Sequence, residues 1–242
     1  MRIDWTKSKS ERSIEIPWML EKIREIMPES LLDVGFAGGF YQEDIFEIID
    51  SDKYMGLDND LNRIKGDALW VDAETKKYWT TLLSMHNYIV GDIVSMGGAI
   101  PTSELVMSIS TIEHIVPAGY AGKMNGMDAD LRAVENMKKL AGKYLMLTFP
   151  VGEEKFFYNP RHNNNNKALS RIKKFIRASN NTMFYNTERI DKIIGDWTVL
   201  EEKYYKTVSD VWKECDKKVA TEYKHRRSKA QTTCLLLLGR PE

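Results

Sequence analysis

The sequence has few cysteines, and none of them stands in a pattern that binds metal. Cys215 and Cys234 are the two in 242 residues, and neither belongs to a Cys-x-x-Cys pair or lies near a pair of histidines. This spacing argues against a zinc site and against a disulfide framework, and it is typical of a protein from a reducing compartment. We therefore expect no bound metal.

The sequence also lacks an excess charge and a long apolar run. Lys plus Arg and Asp plus Glu number 35 each, so the formal net charge is zero. A neutral chain has no global field that attracts nucleic acid or an anionic membrane, although a local basic patch still could. The polar first residues lack the apolar core of a signal peptide, and no window approaches the roughly 18 apolar residues of a membrane span. These absences predict a soluble, cytoplasmic protein.

What the sequence does contain is a regular alternation of short apolar segments and longer amphipathic ones. This rhythm predicts one α/β domain with a mostly parallel sheet and helices on both of its faces. Two late strands separated by an insertion are expected to pair antiparallel at one edge, and Gly142 is expected to end the third helix. The predicted strands cover residues 31–34, 53–58, 88–90, 104–109, 144–149, 198–206 and 232–238, and the predicted helices cover 15–26, 41–49, 128–140 and 187–194.

Three acids stand where predicted parallel strands end. Asp33 closely precedes Gly35 after the first strand, Asp58 ends the second strand, and Asp92 follows the third. The carboxyl ends of parallel strands share one edge of a sheet, and ligands of such sheets bind there. Asp58 is placed to accept hydrogen bonds from both hydroxyls of a ribose, and Asp92 to accept one from an adenine amino group. Together the three acids predict a site for an adenosine-containing ligand.

The glycine-rich loop after the first strand distinguishes between two such ligands. A dinucleotide fingerprint needs Gly-x-Gly-x-x-Gly, so that a helix N-terminus can hold the pyrophosphate. Here the glycines are Gly35, Gly38 and Gly39, and Ala37 stands where the second glycine is expected. The carboxylate of Asp33 ahead of this loop would repel a pyrophosphate, but it could orient the cationic amino-acid end of S-adenosylmethionine (SAM), directly or through water. The loop therefore favours SAM over NAD.

These segments resemble the motifs of class I SAM-dependent methyltransferases. Leu31-Leu-Asp-Val-Gly-Phe-Ala-Gly-Gly39 resembles their motif I, Tyr54-Met-Gly-Leu-Asp58 their acidic second-strand motif, and Gly91-Asp-Ile93 their adenine-side motif. Ala37 departs from a common glycine, and Glu104 from the usual Asp at the start of the fourth strand. The resemblance implies a Rossmann-like fold, SAM as cofactor and S-adenosylhomocysteine (SAH) as product. The cofactor-binding residues that it implies are Asp33, Gly35, Phe36, Ala37, Gly38, Asp58, Asn59, Asp92, Ile93, Ser108 and Ser110.

Other segments resemble a bacterial and archaeal subgroup of that family, often associated with methylation of surface glycans and small molecules. They are Ser108-Ile-Ser-Thr-Ile-Glu-His114, Arg12-Ser-Ile-Glu-Ile-Pro-Trp18 and Leu147-Thr-Phe-Pro-Val-Gly152. The domain organisation that this implies is one methyltransferase domain over residues 1–242, with an N-terminal cap helix at 1–28 and acceptor-side insertions at 153–186 and 209–229.

His114 is the candidate for proton chemistry, because it follows the fourth strand at the rim where the methyl group would face an acceptor. A neutral imidazole can take a proton from a hydroxyl as the methyl group moves, and its unperturbed pKa of about 6.5 suits that role. Alternatively, His114 only caps a helix or packs the loop. Glu113 would hold a backbone amide or the acceptor, or would be an exposed loop acid. Trp18 and Tyr41 would wall the ligand pocket or belong to the core.

Two basic segments have two interpretations each. They would form a lid that binds the phosphate of an anionic acceptor, such as a nucleotide-linked sugar, or they would be solvated helix faces. The first consists of Arg161, Lys167, Arg171, Lys173, Lys174 and Arg177, and the second extends from Lys224 to Lys229.

The main functional hypothesis is SAM-dependent O-methylation of a sugar, glycan or small metabolite. RNA methylation is disfavoured by the zero net charge, by the lack of a separate RNA-binding domain and by the lack of an Asn-Pro-Pro-Tyr loop after the fourth strand. A non-catalytic SAM-binding module is disfavoured by the intact Asp33, Asp58 and Asp92. A NAD-dependent oxidoreductase is disfavoured by the glycine spacing. The sequence leaves the acceptor atom and the oligomeric state open.

Overall fold

The short apolar segments of the sequence form the strands of a central sheet, and the amphipathic segments form the helices around it. The computed structural model describes residues 4–37, 40–59, 87–95, 100–115, 128–157, 182–225 and 230–241. In this part of the chain the helices are α1 (Arg12–Ile26), α2 (Gln42–Phe46), α3 (Ala129–Leu140), α4 (Thr187–Ile194) and α5 (Lys217–Thr221). The strands are β1 (Leu31–Val34), β2 (Tyr54–Asp58), β3 (Asn87–Val90), β4 (Ser103–Ile109), β5 (Ala141–Pro150), β6 (Lys155–Phe157), β7 (Thr182–Phe184), β8 (Thr198–Val208), β9 (Val211–Glu214) and β10 (Thr232–Gly239).

The sheet is parallel over its first strands and antiparallel towards one edge. Eight strands pair in the order β3-β2-β1-β4-β5-β10-β8-β9, and β6 and β7 form a separate two-stranded sheet. Strands β1 to β5 run parallel, whereas β10 is antiparallel to both β5 and β8, and β9 is antiparallel to β8. The predicted mostly parallel sheet with an antiparallel edge is confirmed. Because β3, β2 and β1 are neighbours, their carboxyl ends lie side by side.

Helices cover both faces of the sheet, as predicted. Neighbouring residues of a strand point to opposite faces, so Leu31 and Leu32 of β1 belong to two different cores. On one face, α1 and α2 bury Ile16 and Ile45 against Leu31. On the other, α3, α4 and α5 contribute to the core that contains Leu32 and Met137.

Two helix boundaries differ from the prediction by three residues. Helix α1 begins three residues earlier than expected, at Arg12, and ends before Met27, which has a left-handed φ of 46° and whose N–H donates to the Ile23 carbonyl at 2.8 Å. Helix α2 stops at Phe46 instead of extending to residue 49. Beyond it, the N–H of Ile48 donates to the carbonyl of Ile45 at 2.8 Å, three residues back, and such bonds belong to a tightened turn.

One further prediction about the second half of the chain needs correction. Gly142 does not end α3, because the helix stops at Leu140 and Gly142 lies inside β5. A Cβ on Gly142 would lie 3.3 Å from the carbonyl oxygen of Ser103, so the close approach of β4 explains the small residue. Within the predicted insertion at 209–229, strand β9 extends the sheet. It joins β8 through Ser209 and Asp210, whose φ values of 51° and 62° are those of a tight hairpin turn.

Candidate cofactor and acceptor site

The three predicted acids lie at or just beyond the carboxyl ends of three strands that are neighbours in the sheet. Asp33 is paired with Gly56 in the register of β1 and β2, and Asp58 is paired with Val90 in the register of β2 and β3. The N–H of Gly91 then donates to the carbonyl of Asp58 at 2.9 Å, so the chain enters the Asp92 turn directly beside the end of β2. The parallel topology thus brings the three acids to one edge.

Asp33 is buried, and its carboxyl group is held by two tyrosines. The hydroxyl of Tyr54 donates to Oδ2 at 2.9 Å, and the hydroxyl of Tyr41 donates to Oδ1 at 3.2 Å. Burial raises the pKa of Asp33 to about 7, although the two hydroxyl donors and the charge of Arg12 act in the opposite direction. Both oxygens of the Asp33 carboxyl group are therefore engaged by tyrosine hydroxyls.

The loop after β1 makes a turn that requires glycine at its first position. Gly35 has a φ of 82°, and its N–H donates to the carbonyl of Leu57 at 2.7 Å. A Cβ at this position would lie 2.2 Å from the methyl group of Thr111, so the loop and the residue after β4 are in direct contact. The N–H of Ala37 donates to Oδ2 of Asp58 at 3.2 Å, which fixes the loop to the end of β2. Gly38 lies outside the described residues.

Asp92 and Ile93 lie in a turn that is hydrogen-bonded to α3. Oδ1 of Asp92 accepts a 2.9 Å bond from the N–H of Val94, and the side-chain amide of Asn136 donates to the carbonyl of Ile93 at 2.8 Å. Asp92 is half-buried and Ile93 is buried, whereas Asn59 is exposed. The carboxylate of Asp92 is thus held in one orientation at the sheet edge.

The two serines of the predicted cofactor site donate to the protein itself. Ser108 is buried, and its hydroxyl donates to the carbonyl of Val34 at 3.1 Å. Ser110 has a left-handed φ of 45°, and its hydroxyl donates to both oxygens of Glu15 at 2.8 and 2.9 Å. Cofactor contacts by Phe36, Ser108 and Ser110 remain predictions.

Glu15 is the centre of a buried polar cluster that sequence reasoning missed. Besides Ser110, its carboxylate accepts a 3.3 Å bond from the hydroxyl of Thr233, and the guanidinium of Arg12 lies 3.6 Å away. Burial raises the pKa of Glu15, and Arg12 opposes that shift. The cluster ties the first turn of α1 to the ends of β4 and β10. In the sequence, the sign of this buried cluster is an acidic residue between the apolar residues Ile14 and Ile16.

Glu113 and His114 lie together in a short 3₁₀ turn, Ile112–His114, that follows β4. Oε1 of Glu113 is 3.7 Å from Nε2 of His114, and the His114 side chain is 21% exposed while that of Glu113 is 5% exposed. Burial raises the pKa of Glu113 well above its usual range. The prediction of an exposed loop acid is therefore wrong, because the carboxyl group is buried beside a partly exposed imidazole.

The remaining predicted side chains fall into three groups. Trp18 is buried in the core, and its indole N–H donates to Oε1 of Glu201 at 2.9 Å, so it anchors α1 to β8. Tyr41 belongs to the Asp33 network. Lys224 is exposed, while the basic residues 161–177 and 226–229 lie outside the described residues.

In the described part of the chain, no three His, Cys, Asp or Glu side chains converge as metal ligands, and no helix has the length and apolarity of a membrane span.

Comparison with known proteins identifies the fold. No family model and no curated protein matches the sequence. Among solved structures, magnesium protoporphyrin IX methyltransferase (ChlM) from Synechocystis PCC 6803 with bound SAH has a TM-score of 0.54 and 11% identity, over 93% of this chain and 82% of that one. N-methyltransferase NodS from Bradyrhizobium japonicum WM9, in complex with SAH, has a TM-score of 0.56 and 13% identity, over 98% of this chain and 92% of that one.

A third solved structure with a similar fold is that of another SAM-dependent methyltransferase. A SAM-dependent methyltransferase from Clostridium acetobutylicum ATCC 824 has a TM-score of 0.55 and 10% identity, over 99% of this chain and 93% of that one. The chain therefore has the Rossmann-like fold of class I SAM-dependent methyltransferases.

Proposed function

We propose that the protein is a SAM-dependent methyltransferase that transfers a methyl group to a hydroxyl of a sugar, glycan or small metabolite. The observation that carries this proposal is the position of Asp33, Asp58 and Asp92 at the ends of three adjacent strands, beside the turn at Gly35. The fold supports the same cofactor, because two of the similar enzymes hold SAH in their crystals.

The described residues suit the parts of SAM. A carboxylate has about four acceptor positions, so Asp58 can accept from ribose hydroxyls while it also accepts from Ala37. Asp92, fixed by Val94, would accept from the adenine amino group. Asp33, whose pKa of about 7 leaves part of its population ionised at neutral pH, would provide negative charge near the cationic amino-acid end. This set, with Gly35, forms the proposed cofactor site.

His114 and Glu113 would carry the proton chemistry. SAM supplies a methyl group on a positively charged sulfur, and its loss leaves the neutral sulfide of SAH. As the acceptor oxygen takes that methyl group, His114 would take the proton of the acceptor hydroxyl. Glu113, whose Oε1 lies 3.7 Å from Nε2 of His114, would help to position the imidazole. Positioning of the two reactants would contribute further to the rate.

Calorimetry with SAH, SAM and NADH tests the cofactor half of the proposal. We expect SAH and SAM to bind at one site and NADH not to bind. Turnover is then measured as SAH release from SAM with separate panels of sugars, amines and carboxylates. A protein that binds neither SAH nor SAM contradicts the proposal, and one that binds SAH without turnover in any panel supports a non-catalytic module.

RNA methylation is the second candidate. The small RNA methyltransferase HEN1 shares the fold, with a TM-score of 0.54 over 94% of this chain and 25% of that one. Binding to RNA would depend strongly on salt, because it releases the counterions of the phosphates. Filter binding with bulk RNA at low salt separates the two candidates: we expect no retention for a sugar or metabolite enzyme.

A further inference from the structure

Two polar atoms are buried near the proposed acceptor side without a hydrogen-bond partner of ordinary geometry among the described residues. They are Oε2 of Glu113 and the hydroxyl oxygen of Tyr185. Glu113 is 4% exposed and Tyr185 is fully buried. Buried polar groups in native proteins almost always have a partner, and leaving one without a partner is costly. Two such atoms in one region indicate that a polar guest forms the missing hydrogen bonds with them.

Glu113 and Tyr185 follow strands of two different sheets, and the turn that contains Glu113 is in contact with the strand that precedes Tyr185. Glu113 follows β4 in the 3₁₀ turn, which packs against β5 and β7. Tyr185 follows β7, and its N–H donates to the carbonyl of Pro150, the last residue of β5, at 3.2 Å. The N–H of Gly152 in turn donates to the carbonyl of Tyr185 at 2.9 Å. Tyr185 is thus joined to the end of β5, beside the turn that contains Glu113 and His114.

The ion pairs on either side of this region determine which chemical group can bind there. On one side Glu15 is paired with Arg12. On the other, both oxygens of Asp130 accept from Arg189, at 2.6 and 2.9 Å. Both arginines are thus already engaged by carboxyl groups of the protein, so neither is available to pair with an anionic guest, and Glu113 has no salt bridge to Lys or Arg within the described chain.

The protonation of the two groups favours an uncharged guest. Burial raises the pKa of both Glu113 and Tyr185, which favours the protonated form of each group. A protonated carboxyl and a phenol each donate one hydrogen bond and accept others. A hydroxyl group, which also donates and accepts, satisfies both at once.

We propose that Glu113 and Tyr185 bind an uncharged hydroxyl group of the acceptor, adjacent to the hydroxyl that loses its proton to His114. The acceptor is then a neutral polyol at its reacting end, as a sugar is. This inference rests on the proposed function, since it assumes that the edge beside His114 receives a methyl acceptor.

The test uses full-length protein saturated with SAH and methyl α-D-glucopyranoside as the probe, followed by NMR of ¹³C-labelled tyrosine. We expect a saturable shift of the Tyr185 signal with the glycoside and none with n-butylamine or acetate at the same concentration. Tyr185→Phe and Glu113→Leu should weaken glycoside binding about tenfold each, as expected for the loss of one hydrogen bond, and Glu113→Gln should largely restore it. In the Tyr185→Phe protein, binding is followed by calorimetry.

Tyr223→Phe is the matched control, because the hydroxyl of Tyr223 bonds to Gln231 at 2.9 Å, away from the pair. Its glycoside affinity should equal that of the unmodified protein. The inference is overturned if the amine or the acetate produces the shift, if the glycoside produces none, or if an ordered water remains between the two groups in crystals soaked with the glycoside. Failure of SAH to bind refutes the proposed function itself, whereas SAH binding without the glycoside effect refutes this inference alone.

Discussion

The hydroxyl of Tyr54 donates a 2.9 Å hydrogen bond to Oδ2 of Asp33, a carboxyl group with no exposed surface. Tyr41 donates to the other oxygen, so the acid that opens the glycine-rich loop is enclosed by phenols. Burial is the largest influence on this acid and raises its pKa to about 7. A buried carboxyl group with a raised pKa gives the folded state a higher proton affinity than the unfolded chain.

Asp33→Asn should flatten the pH dependence of stability. The carboxyl group has a pKa of 3.8 when unfolded and of about 7 when folded, so between these values the folded state holds a proton that the unfolded chain has lost. Its contribution is fully present below pH 3.8 and is lost as the pH rises through about 7, by up to ~4 kcal/mol. Urea unfolding across this range measures the slope for both proteins. Asp196→Asn, at an exposed acid, should keep the original slope; an equal slope in Asp33→Asn would refute the account.

Asp58→Ala should weaken SAH binding. It removes the carboxylate proposed for the ribose and also the acceptor of the Ala37 N–H. Hydrogen bonds to a charged group contribute about 1.5–3 kcal/mol, so calorimetry should show a dissociation constant about 10 to 100 times larger. The control is Asp52→Asn, an exposed acid in the turn before β2. Unchanged SAH affinity in Asp58→Ala would remove this residue from the cofactor site.

His114→Ala should reduce turnover without affecting the cofactor. A general base contributes about 10²- to 10⁴-fold to a rate, so SAH release should fall by at least about 100-fold once an acceptor is found. The dissociation constant for SAH should change less than about twofold, because His114 follows β4 and does not lie on the strands that carry the three acids. If SAH affinity collapses instead, the residue supports the loop and takes no part in proton transfer.

Two cations on α4 should differ sharply in their contribution to stability. Arg189 is buried and makes two hydrogen bonds to Asp130 on α3, at 2.6 and 2.9 Å. Removing one partner of a buried pair costs about 3–5 kcal/mol, because the other charge is left without compensation. Lys192 pairs with Glu188 at 2.8 Å, but both side chains are more than half exposed. Lys192→Ala should therefore cost less than about 1 kcal/mol.

Thermal unfolding of Arg189→Ala and Lys192→Ala provides the measurement. A loss of about 1 kcal/mol lowers the Tm of a protein of this size by about 2–4 °C, so the expected difference between the two variants is several degrees. The double variant Arg189→Ala/Asp130→Ala tests the cause, since it removes both charges and should recover part of the loss. Similar Tm values for the two single variants would contradict the burial of the Arg189 pair.

The positions of the elements follow from patterns that are local in sequence. Apolar runs such as Leu31 to Val34 predict strands, and an acid at the end of such a run is placed by parallel topology alone. This is why Asp33, Asp58 and Asp92 could be assigned to one edge before any contact was known. The antiparallel pairing of the late strands followed from their number and spacing.

The side-chain contacts at this edge could not be predicted in the same way. The hydroxyl of Ser110 is used by Glu15, 95 positions earlier, and Oδ2 of Asp33 is held by Tyr54, 21 positions later. Such contacts depend on how α1 packs against the end of β4 and how β2 pairs with β1. The periodic pattern of apolar residues in the sequence does not determine this packing. Burial of Glu113 has the same origin, since β7 and β5 pack against its turn.

Strand β10 lies between β5 and β8, with hydrogen-bonded neighbours on both of its sides. During synthesis, residues 141–208 leave the ribosome before this strand exists, so β5 and β8 initially have a gap between them that only residues 232–239 can fill. Until then Glu15 also lacks Thr233, one of its buried partners. Helix α1 therefore completes its packing only when β10 enters the sheet. A nascent chain stalled before residue 232 would expose the edges of β5 and β8 to other molecules.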